Sequence, residues 1–90
     1  MENKRKVIKL RAVPAKKNET EIIINTPFIK LDSALKLCGE ANTGGHAKIM
    51  IAEGDVFVDG VPCFQRGRKL KDGDSFRVGI NVYKIVYRPN

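Results

Sequence analysis

Between Leu31 and Val61 the apolar period of this chain changes from that of a helix to that of a strand. Leu31, Ala34, Leu35 and Cys38 follow i, i+3, i+4, i+7 spacing, which places them on one helix face. Asp32 or Ser33 can cap the start, and Gly39 sits near the end. A second helical pattern runs through Ala47, Met50 and Ile51. Thr43 suits its N-cap, and Gly54 suits the position that ends it. The spacing predicts two short helices, over 32–39 and 44–53, joined tightly. From Val56 the pattern is extended. Val56-Phe57-Val58 precedes Asp59-Gly60, and Val61 follows. Asp-Gly between apolar residues signals a hairpin, because a type I′ turn needs positive φ at both central positions. Asp72-Gly73 marks another turn. Ser75–Val78 and Val82–Tyr87 read as strands around Gly79-Ile80-Asn81.

The chain ahead of Thr26-Pro27 reads less clearly. Glu21-Ile22-Ile23-Ile24-Asn25 is a β-branched strand bounded by polar residues. Val7–Val13 alternates in part and suits a short strand, with Pro14–Thr20 as a polar turn. A hairpin and a loose basic arm ahead of one strand both satisfy this pattern.

Length and charge then bound the function. Ninety residues make one domain and leave no room for a large enzyme fold with a deep cofactor cleft. A net charge of +7 favours a polyanion, either nucleic acid or an anionic membrane surface. The charge is uneven. Residues 1–20 carry seven positive and two negative groups, whereas the other seventy carry ten and eight. Within the first segment Lys4, Arg5, Lys6, Lys16 and Lys17 are candidate accessory contacts to such a polyanion. Ile22–Ile24 is far too short to span a membrane, and no signal-length apolar stretch follows Met1–Lys6. Cys38 and Cys63 lack CxxC spacing and partnering histidines. They read as reduced thiols of a cytoplasmic chain, with a bridge as the alternative.

The residues offer little catalysis. His46 is the single histidine, so no histidine pair can hold zinc, and no nucleophile stands beside it in an evident pairing. Asp72 and Asp74 flank a glycine as turn residues do. Asp55, Asp59, Asp72 and Asp74 lack EF-hand spacing. The expectation is no catalytic residue, no metal and no cofactor.

Two places suit anions better. Gly44-Gly45 lies where the second helix begins. Glycines there let a phosphate approach free N–H groups at the positive end of the helix dipole. Thr43 adds a hydroxyl, and Lys48 lies one turn further on. The plainer reading is that the glycines only make the turn. The second place is Phe64–Lys71, where Arg66, Arg68, Lys69 and Lys71 fall within six positions without an acid. Guanidinium groups suit phosphate oxygens, and Gly67 leaves the backbone open. The plainer reading is a solvated basic loop.

Four segments taken in order carry a resemblance. Phe28–Leu37 opens the first helix. Gly44-Gly45-His46-Ala47-Lys48 opens the second. Glu53–Gly60 leads into the hairpin, and Arg66-Gly67-Arg68-Lys69-Leu70 leads to Gly73-Asp74. Over residues 21–87 this order resembles the RNA-binding domain named after ribosomal protein S-four, the alpha-L motif. The Gly-Gly-x-Ala-Lys and Arg-Gly-Arg-Lys-Leu elements look like its small stand-alone bacterial YaaA/YbcJ-like branch. The resemblance implies an α+β fold, two short helices packed on a small, mostly antiparallel sheet. It implies a non-catalytic protein that binds structured RNA, ribosomal RNA or ribosomal particles, in ribosome assembly; a monomer is the separate expectation. Carried onto this chain, the RNA face comprises Lys36, Gly45, His46, Lys48, Arg66, Arg68, Lys69 and Lys71. The wider family often has Ser-Arg or Thr-Arg where this chain has Gly44-Gly45-His46, so backbone amides must replace one phosphate ligand. Few aromatics are expected near this face, so shape recognition should dominate over stacking. Residues 21–90 would form the domain, and residues 1–20 a basic extension, either a flexible arm or an extra strand. The rival reading is a protein-interaction adapter that uses the sheet edge or the basic arm.

Overall fold

The computed structural model describes residues 11–16 and 18–89. The first strand, β1 (Arg11–Lys16), pairs antiparallel with β2 (Glu19–Ile24). The turn between them includes Asn18 at φ +63°, in the left-handed region that asparagine tolerates. The expected turn at Pro14–Thr20 is therefore much shorter. Pro14 lies within β1, where a sheet edge allows it because one side of the strand needs no N–H donor. Val7–Leu10 lies outside the described residues.

Next come β3 (Ile29–Lys30), α1 (Leu31–Leu37) and α2 (Gly44–Ala52). They are followed by β4 (Val56–Val58), β5 (Val61–Pro62), β6 (Lys69–Leu70), β7 (Ser75–Val78) and β8 (Asn81–Tyr87). Six strands form one sheet in the order β1-β2-β8-β7-β4-β5. Every neighbouring pair in it is antiparallel except β2 and β8, which run parallel from Glu19↔Val82 to Ile24↔Tyr87. The short strands β3 and β6 form a separate antiparallel pair. The expected α+β architecture of two helices on a mostly antiparallel sheet is the observed one.

One apolar core joins the layers. Leu31, Ala34 and Leu35 of α1 and Ala47, Met50 and Ile51 of α2 are the faces that the spacing predicted, and all are buried. They share the core with Ile22, Ile24, Val56, Leu70, Phe76 and Ile85 from the strands. Phe76 and Tyr83 are cross-strand neighbours whose rings stack at 5.1 Å. Cys38 and Cys63 are free thiols.

The turns follow backbone chemistry. Asp59 and Gly60 have φ of +54° and +83°, the type I′ pattern that closes β4 onto β5. Gly54 at φ +79° ends α2, as expected. The start of α1 differs from expectation. Asp32 and Ser33 lie inside the first turn, and the N-cap is Lys30, without a side-chain cap. The N–H groups of Leu31 and Asp32 donate instead to the carbonyls of Arg68 and Arg66, at 2.9 and 3.2 Å. Backbone from the basic loop thus does the capping.

Candidate RNA-binding face

The start of α2 is open to solvent from Asn42 to His46. Thr43 is extended at φ −141°, and its Oγ1 accepts from the His46 N–H at 3.0 Å. His46 Nδ1 in turn accepts from the Asn42 N–H at 3.2 Å. This exchange resembles a capping box, with histidine in the place of the usual glutamate. It leaves Nε2 on the exposed side of the ring without a partner among the described residues. Among the described residues, no acceptor meets the N–H groups of Gly44 and Gly45, and no acid lies in the first turn.

Both glycines could be larger as far as the fold is concerned. Neither has positive φ. A Cβ on Gly44 would meet nothing within 4 Å, and one on Gly45 would meet only Thr43 Oγ1, at 3.8 Å. Helical glycine without such a need costs roughly 0.5–1 kcal/mol relative to alanine. Neither backbone conformation nor packing therefore requires glycine at these two positions. What they leave is open space over two unpaired donors at the positive end of a helix dipole. Lys48, one turn along, is exposed.

The basic loop is anchored beside α1. Its two backbone hydrogen bonds to Leu31 and Asp32 hold residues 66–68 at the helix start. Lys36 lies in the last turn of the same helix. A helix of seven residues is about 10 Å long, so Lys36 and the loop mark opposite ends of a short bar. Arg66, Lys69 and Lys71 are exposed, and Arg68 is half-buried. Arg68 Nη2 lies 3.7 Å from Asp59 Oδ2, with both side chains open to solvent. Such a pair contributes little and can yield to a phosphate. The turn after the loop is fixed to β8, where Gly73 N–H donates to the Ile85 carbonyl at 2.9 Å. Asp74 Oδ2 accepts from the Lys71 N–H, and Asp72 Oδ1 from the Tyr87 N–H. Both aspartates are turn and strand-end residues, as expected.

Thr43, Gly44, Gly45 and His46 thus form one cluster, and Arg66, Arg68 and Lys69 another. No described hydrogen bond or ion pair joins the two. Of the accessory candidates, Lys16 closes β1, while Lys4, Arg5, Lys6 and Lys17 lie outside the described residues.

Two residues escape a reading of the sequence. Lys30 faces Lys69 directly across β3 and β6. Like charges in that position repel unless an anion neutralises them, which adds Lys30 to the basic face. Lys69 Nζ also stands 4.8 Å from the centre of the Phe28 ring. The other is Phe64, which is 63% exposed despite its size. The expectation of few aromatics near this face must allow for it. A strand pair of two residues each has no readable period, so no sequence signal could reveal the Lys30–Lys69 pairing.

A separate polar cluster braces the back of the helix pair. Glu40 Oε2 accepts from the Tyr83 hydroxyl and, at 3.1 Å, from Asn81 Nδ2. Burial and the hydrogen bond to Glu40 push the Tyr83 phenol above its ordinary value of 10.0. Burial likewise pushes the Cys38 thiol above 9.0. His46 hydrogen-bonds only backbone and the Thr43 hydroxyl among the described residues, and no group of three or more metal-ligating side chains occurs among them. No described helix is long and apolar enough to cross a membrane.

A small α+β domain with two short helices on a mostly antiparallel sheet, and a basic loop docked at the start of α1, agrees with the S4 class. The chain belongs to that family: the family model for the "S4 domain" matches residues 22–86, from β2 through β8. Over 66 residues it is 38% identical to the "Probable ribosome maturation protein RlbA" of Bacillus subtilis (strain 168). That match covers 72% of this chain and 93% of its relative. No solved structure matches the chain significantly.

Proposed function

We propose that this chain is a non-catalytic module that binds structured ribosomal RNA and acts in ribosome maturation. The observation that carries the reading is the pair of unpaired N–H groups at Gly44 and Gly45, under open space that packing does not require. One backbone phosphate would sit there, within reach of Thr43, His46 and Lys48. Lys36, Arg66, Arg68, Lys69 and Lys71 would hold neighbouring phosphates. The family match and the name of the Bacillus relative support the choice of RNA and of ribosome maturation.

Salt dependence tests this reading. Six phosphate contacts on a duplex region give a log–log slope of roughly −5. An Arg66→Ala/Arg68→Ala double variant should lower that slope by about 1 for each phosphate it no longer neutralises. It should fold normally, since these residues cap α1 through backbone carbonyls. A slope near zero for the wild type, or an unchanged slope in the variant, would reject the face.

A further inference from the structure

We infer that Phe64 is a stacking platform for one unpaired base of the bound RNA, seated in the cleft between the β4–β5 hairpin and the basic loop. This rests on the RNA reading above and adds a base-recognising subsite to it. The Phe64 ring lies across Gly54, where a Cβ would meet its Cε1 and Cζ at 3.6 Å. The backbone at the end of α2 therefore supports one side of the ring, while 63% of the residue stays exposed. An open cleft of about 330 Å³ adjoins it, lined by Val61, Pro62, Phe64, Gln65 and Arg68 among others.

That lining is an apolar floor with an amide and a guanidinium at its edge. A base needs a flat surface to stack on and polar groups that reach its edges. Phe64 supplies the first, and Gln65 and Arg68 the second. Two residues after Phe64 comes Arg66, so a base in the cleft would lead directly to the phosphates that the loop holds. A protein strand fits less well. β5 is an edge strand only two residues long, and Pro62 within it has no N–H to donate to an added strand. The positive charge beside the cleft also favours a polyanion.

The test uses the full chain and two short hairpin RNAs closed by a non-nucleotide linker, one fully paired and one with a single unpaired 2-aminopurine in its stem. Phe64→Ala should weaken binding of the second by about 5- to 150-fold, the range for loss of one stacked base. It should leave the paired hairpin unaffected, and Phe64→Tyr should retain the preference. Aminopurine fluorescence should change on binding to the wild type and not on binding to Phe64→Ala. Equal effects on both RNAs, or aminopurine fluorescence that the wild type leaves unchanged, would overturn the subsite. If Arg66→Ala/Arg68→Ala still weakens both RNAs in that case, the RNA reading stands without the subsite. No binding of either hairpin by the wild type would overturn both. Weaker binding of a ribosomal protein by Phe64→Ala, at unchanged RNA affinity, would assign the cleft to protein and overturn the subsite.

Discussion

At Gly44 and Gly45 the proposed phosphate site sets binding against stability. Alanine fits both positions without strain, since φ is ordinary and the space beyond is open. Gly44→Ala and Gly45→Ala should each raise unfolding free energy by about 0.4–1 kcal/mol, measured by denaturant titration. A Cβ there would stand between the donors and an approaching phosphate. Loss of one charge-assisted hydrogen bond of ~1.5 kcal/mol lowers RNA affinity about tenfold. A stabilised variant with undiminished affinity would show that the glycines do not face the ligand. Thr43 and Gly54 were legible as helix ends because capping and positive φ select a few residue types. The role of Lys30 was not legible, because it depends on a partner across β3 and β6 that lies far along the chain.

Among the elements, the connection from α1 to α2 is held to β8 by one acid. Glu40 receives both Tyr83 and Asn81. Tyr83→Phe removes the bond to the carboxylate and should cost about 1–2 kcal/mol at neutral pH. Its pH dependence has a definite sign. The phenol titrates above its ordinary 10.0 in the folded state, so the folded form keeps its proton longer than the unfolded chain does. That stability is fully present below about pH 10 and is lost as pH rises through the folded value. Cys38 acts in the same direction, starting above 9.0. Denaturant midpoints measured from pH 8 to 11 should fall more steeply for the wild type than for Tyr83→Phe. Parallel curves would remove Tyr83 from the account. The helices themselves were legible from their buried faces. The cap on α1 was not, because carbonyls of residues 66 and 68 replace the side chain that local sequence suggests.

Over the whole molecule, charge and fold divide differently. Most of the net charge lies in residues 1–20, yet the family match begins only at residue 22. The sheet does not respect that boundary, since β1 pairs with β2 along its length. A truncation meant to remove the basic segment without exposing the edge of β2 must stop before Arg11. The parallel pairing of β2 with β8 joins residues near the two ends of the chain, and no local pattern signals it. The composition did point to a polyanion, but only placement separates a binding face from a basic surface. The domain concentrates its charge at a loop docked on α1 and beside a helix start without acids. The most direct test is an NMR titration of the isotope-labelled full chain with a ribosomal RNA fragment. The largest amide shifts should fall at Gly44, Gly45 and His46 and across residues 66–71, with β1 and β2 quiet. Shifts confined to the N-terminal segment or to β1 and β2 would contradict the proposed face.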